Sequence, residues 1–152
     1  MADSVESQPP VIVSTVLDTE DARGLAEFYR ELFGLSYRAG DEPPSAGEPD
    51  PKGQEWLVLE DPNGPHRLAF QQVDQLPRAT WPEGPRPQML HLDSRVPAVE
   101  DLYAQRQRAL DLGARELFDR SEDLDEPLFV LADPAGHPFC ILSARDRRRS
   151  AG

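Results

Sequence analysis

The amino-acid sequence predicts an α+β fold in which two tandem βαβββ modules form curled mixed sheets around a trough. The first observation is a repeat: residues 58–64 (VLEDPNG) recur as residues 130–136 (VLADPAG), each between two apolar runs. The second observation is the order of the predicted elements. Each copy of the repeat follows a strand-like segment, an amphipathic helical pattern and another short strand-like segment. A four-stranded sheet with one helix also leaves one face uncovered, and pairing two modules would cover it.

Length and charge limit the domain organisation and the partners. The chain has 152 residues, 38% of them apolar, which predicts a disordered arm at 1–10, a single domain at 11–144 and a basic flexible tail at 145–152. Its formal net charge is -12. Nucleic acid is therefore not an expected partner, because phosphate binding relies on clustered Lys and Arg.

The expected location is the cytoplasm. No apolar run reaches the roughly 20 residues that cross a bilayer, so we expect no membrane partner. The N-terminal stretch MADSVESQPP lacks the basic start and apolar segment of a secretory signal. A single cysteine excludes an internal disulfide, in agreement with a reducing compartment.

The first module spans residues 11–73 and begins with a β-branched strand at 11–18. Asp18 or Thr19 can cap the helix that follows, and Gly34 ends it. Apolar residues recur along one helix face at intervals of three and four: Leu25, Phe28, Tyr29, Leu32 and Phe33. Further strands are predicted at 35–39, 55–60 and 67–73, and the last two flank the Asp-Pro-Asn-Gly turn.

A proline-rich linker at 74–86 separates this module from the second, at 87–144. The second module starts with a strand at 88–93 and a helix at 97–112 that Gly113 ends. This helix is expected to turn Arg106 and Arg108 toward water. Strands complete the module at 115–120, 127–132 and 138–144.

This arrangement resembles the vicinal oxygen chelate superfamily, which includes glyoxalase I, extradiol dioxygenases, fosfomycin-modifying enzymes and bleomycin-binding resistance proteins. The resemblance rests on the element order, on the pattern D-x6-F-Y-x3-F-G from Asp21 to Gly34, and on the D-P-x-G-x-x-F-C ending at 133–140. It covers residues 11–144 and is strongest for the glyoxalase-like domain subgroup. It implies a small-molecule ligand in the trough and a homodimer.

Metal enzymes of the superfamily hold one divalent ion with residues from the first and last strands of each module. The resemblance puts these positions at Ser14, His91 and Cys140, and at Gln71 or Leu68 according to the register of the fourth strand. Only His91 matches well, and Mg²⁺ or Mn²⁺ prefers carboxylate oxygen. We therefore expect no metal and no cofactor; the alternative is one divalent ion on His91 with Cys140 and Gln71.

Three side chains have competing interpretations. His91 is the candidate catalytic residue, as a weak base or a ligand-contacting hydrogen bonder, and otherwise a satisfied buried histidine. Cys140 is expected to be a small buried hydrophobe rather than a nucleophile, because its apolar neighbours offer no positive charge. Trp81 either folds over the trough as a lid or pins the linker.

The leading hypothesis is a metal-independent small-molecule binding protein of the glyoxalase/bleomycin-resistance type, with a cationic or aromatic ligand. Its expected binding residues are Ser14, Val16, Phe70, Gln71, Trp81, His91, Asp93 and Cys140. The competing hypothesis is a lyase, isomerase or dioxygenase that uses a divalent metal or acid–base chemistry at His91. A third is an interaction module whose trough is filled by side chains.

Overall fold

The computed structural model describes residues 7–143, so the first part of the expected arm and the whole expected tail lie outside the described residues. Both modules have the predicted order of elements. They are β1 Thr15–Thr19, α1 Ala22–Phe33, β2 Ser36–Tyr37, β3 Trp56–Glu60, β4 Arg67–Gln72, β5 Leu92–Val96, α2 Val99–Leu112, β6 Arg115–Arg120, β7 Leu128–Ala132 and β8 Pro138–Ser143, with a 3₁₀ turn at Lys52–Gln54. Neither α1 nor α2 has the length and apolar character that a bilayer crossing requires.

The strands form two mixed four-stranded sheets of the same topology. The orders are β1-β4-β3-β2 and β5-β8-β7-β6. In each sheet the first strand is parallel to the last, and the other neighbours are antiparallel. This duplicated topology confirms the predicted fold class of two tandem βαβββ modules.

Helix α1 begins at a different cap from the one predicted. Asp21, rather than Asp18 or Thr19, accepts a hydrogen bond from the Gly24 backbone N–H at 3.0 Å. Thr19 still belongs to β1, and its hydroxyl oxygen accepts from the Asp21 N–H at 3.0 Å, so the chain needs two further residues to turn. The helix ends as predicted at Gly34, whose φ of 66° favours glycine.

One hydrophobic core runs through both modules. Tyr29 of α1 lies at its centre, and its ring packs against aromatic rings of both sheets and of its own helix: Phe28, Phe33, Phe70 and Phe139. The Tyr29 hydroxyl donates to Asp133 Oδ2 at 2.7 Å. Asp133 is the aspartate of the second repeated turn, so that turn joins the two modules as well as β7 and β8.

The first strand of each module begins later than predicted, at Thr15 instead of Val11 and at Leu92 instead of Gln88. Thr15 pairs with Leu68, and the strand that would pair with earlier residues starts only at Arg67. Residues 11–13 therefore have no ladder partner among residues 7–143, and Ile12 is 93% exposed. The same limit holds in the second sheet, where β8 starts at a proline that cannot donate a ladder hydrogen bond.

Of the two arginines expected to face water on α2, Arg108 is exposed as predicted, whereas Arg106 is only partly exposed. Arg106 Nε lies 2.6 Å from Glu116 Oε1, and its guanidinium lies 5.1 Å from the centre of the Phe129 ring. Arg108 donates to the Leu32 carbonyl at 3.0 Å and also to that of Glu31. Long arginine stems pack on apolar surface while their heads reach polar partners, which a helical periodicity does not reveal.

Candidate functional site

A groove of about 440 Å³ lies between the first sheet, the linker and the second repeated turn, and we call it the linker groove. The first sheet contributes Val16, Leu17, Asp18 and Gln71. The other lining residues are Leu76, Pro77, Ala79, Arg86, Pro87, Gln88, Met89, Leu90, Ala135, Gly136, His137 and Pro138. Most of these side chains are apolar, which suits the carbon skeleton of a small organic molecule.

Strand alternation explains which side chains of the first sheet reach the groove. Leu17 and Thr19 are buried, whereas Val16 and Asp18 lie on the opposite face of β1. Asp18 pairs in register with Gln71 of β4, so their side chains share that face. The sequence left open whether Gln71 or Leu68 of the fourth strand faces away from the core. In the structure Gln71 does, because Leu68 packs against the core.

One positive and one negative side chain, Arg86 and Asp18, line the groove, and they differ in their polar contacts. Arg86 Nη1 donates to the Arg78 carbonyl at 2.7 Å, so this guanidinium is partly satisfied by the linker backbone. No ion pair involves the exposed Asp18 carboxylate within residues 7–143. The Asp18 carbonyl lies 2.6 Å from His137 Nε2, and that nitrogen must carry the donated hydrogen because a carbonyl oxygen only accepts.

The linker forms one wall of the groove, but Trp81 does not contribute to it. Arg78 anchors the linker by donating to the Pro134 carbonyl at 2.6 Å. Gly136 has a φ of 99°, and a Cβ there would lie 2.7 Å from Arg78 Cγ, so the close approach needs glycine. Trp81 is partly buried and lies outside the groove lining. Trp81 thus does not line this groove, although other residues of its segment do, and its role as a lid or a linker pin stays a prediction.

His91, Asp93 and Cys140 gather in the second sheet, and we call them the His–Asp–Cys cluster. One ligand atom from each lies within 4.8 Å of the other two. Asp93 and Cys140 are paired neighbours on the parallel strands β5 and β8, which fixes their side chains on the same face. His91 precedes β5, and its Nε2 lies 3.2 Å from Asp93 Oδ1.

The Cys140 thiol is chemically quiet in this environment. Burial raises its pKa to about 11, with further contributions from the charge and hydrogen bond of Asp93 and from the charge of Glu126. Since the thiolate is the reactive form, the thiol is a poor nucleophile at neutral pH. The partly buried side chain agrees with the sequence interpretation as a small apolar residue.

The remaining predicted site residues lie elsewhere. Phe70 is fully buried, with its ring 6.0 Å from that of Tyr29, so its predicted place in the trough is wrong. Phe70 and Gln71 are adjacent in β4 and must point to opposite faces. Ser14 precedes β1, is partly buried and does not line the linker groove. Sequence reasoning missed Asp18 as a lining residue, although alternation from Val16 would have found it.

A second depression of about 530 Å³ lies between the end of α1, β5 and α2. Besides Arg95, it is lined by the guanidinium of Arg108. That guanidinium already donates to two carbonyls at the end of α1 and to Gln105 Oε1. The depression is therefore explained as the joint between the two helices.

The family model of the glyoxalase-like domain matches residues 14–142. The chain belongs to this family. The fold and both site regions fall within the matched range. A search among curated proteins found no match.

Solved structures with the same fold carry different functional names. A glyoxalase/bleomycin resistance protein/dioxygenase family enzyme from Burkholderia phytofirmans is 19% identical, with 86% of this chain and 96% of that chain covered and a TM-score of 0.62. The fosfomycin resistance protein FosX from Mesorhizobium loti is 11% identical, with 94% and 99% covered and a TM-score of 0.62. Lactoylglutathione lyase from Agrobacterium tumefaciens is 16% identical, with 91% and 96% covered and a TM-score of 0.55. These likenesses show the fold alone.

The metal positions implied by the superfamily do not fit a hard divalent cation in this chain. Ser14 and Gln71 supply neutral oxygens, and Cys140 stands where a carboxylate is expected. Mg²⁺ and Mn²⁺ favour several charged oxygen ligands. Gln71 lines the linker groove, whereas His91 and Cys140 lie outside its lining. No reaction step through a metal of that kind follows from these residues.

Proposed function

We propose that this protein binds a cationic organic molecule with an aromatic or aliphatic body in the linker groove, without a metal ion. The observation that carries the proposal is the Asp18 carboxylate, which lines a largely apolar groove and forms no ion pair with the described residues. A ligand cation would form an ion pair with that carboxylate, while the carbon skeleton of the ligand packs on Val16 and the linker prolines. The net charge of -12 adds a long-range attraction for cations.

The expected affinity follows from area and charge together. A buried aryl group covers about 150 Å² and contributes about 4 kcal/mol at 25 cal/mol per Å², before the cost of ordering the ligand. That term alone supports only millimolar binding. The contact with the exposed Asp18 carboxylate is expected to add up to about 1 kcal/mol, so a neutral ligand of the same shape should bind several-fold more weakly.

The test compares two probes of one shape in EDTA. Benzyltrimethylammonium carries the charge, and neopentylbenzene replaces its nitrogen by carbon. A concentration 100-fold above Kd should stabilise the protein by about 2.7 kcal/mol in a thermal-shift assay. We expect a shift for the cation, a loss of that shift in Asp18→Asn, and an unchanged shift in Asp74→Asn, which removes an exposed linker carboxylate outside the groove. Equal shifts for both probes, or for wild type and Asp18→Asn, would refute the cation preference.

We further propose a cytoplasmic homodimer. Support for the dimer comes from the exposed apolar residues Val11, Ile12, Val13 and Met89, which precede the edge strands of the two sheets. The unpaired thiol of Cys140 suits a reducing compartment. Light scattering after size exclusion should give twice the 17.0 kDa chain mass, and Ile12→Lys with Val13→Lys should halve it. A wild-type monomer at all concentrations tested would contradict the dimer.

A second candidate is an enzyme with acid–base chemistry at His91. The observation that favours it is the 3.2 Å approach of His91 Nε2 to Asp93 Oδ1, because a carboxylate can orient an imidazole for proton transfer. The structural relatives suggest two substrates to assay, fosfomycin and the glutathione adduct of methylglyoxal. Turnover that is lost in His91→Gln and retained in His66→Gln would support this candidate. Absence of turnover with both substrates, with and without added divalent metal, would count against it.

A further inference from the structure

We propose that the ligand of the linker groove is a zwitterion, a molecule whose cationic and anionic groups are joined by an apolar body, and that Arg86 binds its anionic group. This inference rests on the proposed function, because it adds a second charge contact to the same ligand. Asp18 and Arg86 both line the groove. Neither side chain forms an ion pair within residues 7–143, with the other or with a third residue. The groove thus presents one charge of each sign to a ligand.

The guanidinium of Arg86 has hydrogen-bond donors left for a ligand. A guanidinium carries its N–H groups in a planar fork that matches the oxygens of a carboxylate or phosphate group. Arg86 Nη1 donates to the Arg78 carbonyl at 2.7 Å. Among residues 7–143, neither Nε nor Nη2 of Arg86 has a hydrogen-bond partner. These two nitrogens can therefore donate to an anionic group in the groove.

Contacts within the linker hold Arg86 in position in the free protein. The Arg86 backbone N–H donates to the Thr80 hydroxyl oxygen at 2.7 Å. The Arg86 carbonyl accepts from the Thr80 N–H at 2.7 Å and from the Thr80 hydroxyl at 3.0 Å. Arg78 donates to the Pro134 carbonyl at 2.6 Å, which joins this part of the linker to the second module. A group that is already positioned loses less conformational entropy when a ligand binds.

The negative charge lies on a different wall of the groove. Asp18 belongs to β1, where it pairs with Gln71, and its carbonyl contacts His137 Nε2. Because Asp18 and Arg86 do not reach each other, a ligand that contacts both must carry an apolar spacer between its charges. The groove volume of about 440 Å³ falls within the roughly 300–1,000 Å³ of sites for small organic molecules. The ligand class is accordingly an amine or quaternary ammonium compound that also carries a carboxylate or phosphate group.

The test compares a zwitterion with a cation of the same shape by isothermal titration calorimetry in EDTA at pH 7.5. (4-Carboxybenzyl)trimethylammonium is the zwitterion, and (4-carbamoylbenzyl)trimethylammonium has a neutral amide in place of the carboxylate. The 3-substituted isomers of both compounds repeat the comparison with a shorter distance between the charges. We expect at least one acid to bind about 3- to 5-fold more tightly than its amide, the range for an exposed ion pair.

The overall charge of the protein makes this result distinguishable from general attraction. A net charge of -12 favours the amide, which is a net cation, over the acid, which is neutral overall. A higher affinity for the acid therefore requires a local positive group. Arg86 is the one arginine or lysine among the described residues that line the groove.

Three variants assign the preference to one side chain. Arg86→Gln should abolish the preference for the acid over the amide, while glutamine keeps a donor for the Arg78 carbonyl. Arg86→Lys should retain part of the preference, because lysine keeps the charge and loses the planar fork. Arg115→Gln is the matched control, since it changes an exposed arginine of β6 outside the groove lining, and it should retain the full preference.

The outcomes separate this inference from the proposed function. If the amides bind and Asp18→Asn weakens them, but neither acid binds more tightly than its amide, the zwitterion is overturned and the cation site stands. A preference for the acid that persists in Arg86→Gln would overturn the role of Arg86. If neither the amides nor the acids bind, the proposed function fails as well.

Discussion

Replacing Tyr29 by Phe tests how the two modules are held together. The hydroxyl is buried and donates to Asp133 Oδ2 at 2.7 Å across the module boundary. Asp133 is 1% exposed, so water cannot easily replace the lost donor. Its other carboxylate oxygen keeps bonds from the Ala135 and His137 N–H groups at 2.9 and 3.0 Å. The substitution therefore removes one hydrogen bond to a carboxyl group and leaves the aromatic packing intact.

The expected cost is about 2 kcal/mol of unfolding free energy, the typical value for a hydrogen bond to a charged group. For a chain of this size that corresponds to a Tm lower by about 4–8 °C. Urea denaturation at pH 7 should show a lower midpoint with an unchanged m-value. Tyr103→Phe is the matched control, because its ring is 48% exposed. Its cost should stay within about 0.5 kcal/mol. Equal stabilities of the two variants would refute this account of the joint.

Three further predictions concern single side chains. Burial raises the pKa of Asp133 above its ordinary 3.8, so its contribution to stability is greatest below that pH and is lost as pH rises through the folded value. In urea titrations at a series of pH values, wild type should accordingly lose free energy of unfolding relative to Asp133→Asn as pH rises through the folded-state pKa of Asp133. A difference between the two proteins that does not change with pH would contradict this prediction. Arg108→Gln should lower the free energy of unfolding by about 1–2 kcal/mol, because carbonyl groups at the end of α1 lose their donor. Arg95→Gln, which changes an exposed arginine of β5, is the control and should leave that free energy unchanged. Equal effects of the two substitutions would show that the Arg108 hydrogen bonds do not stabilise the fold. Iodoacetamide at pH 8 should alkylate Cys140 about 100-fold more slowly in folded than in urea-unfolded protein, because the pKa rises from 9.0 to about 11, and equal rates would contradict that shift.

Local periodicity was sufficient to predict the elements of the fold. The apolar face around Tyr29, the end of α1 at Gly34 and the repeated Asp-Pro turns depend on residues close in sequence, and all three are observed. The starts of β1 and β5 depend instead on how far their partner strands extend. Those limits come from pairing with residues about 50 positions away, which no local pattern contains.

The candidate site was predictable where strand alternation applies. Val16 and Gln71 lie in strands and line the linker groove, whereas the choice of both Phe70 and Gln71 broke the two-residue period. The bond between Tyr29 and Asp133 spans 104 positions and had no local signal. Trp81 lies in a linker without periodicity, so its side chain could not be oriented from the sequence.

The central claim is that a cationic ligand occupies the linker groove without a metal. The most direct measurement is the ¹H–¹⁵N spectrum of EDTA-treated protein titrated with benzyltrimethylammonium. We predict saturable shifts of amides around Val16, Gln71 and Ala135, and their loss in Asp18→Asn. Shifts centred on His91 and Cys140, or no saturable shifts at all, would contradict the claim.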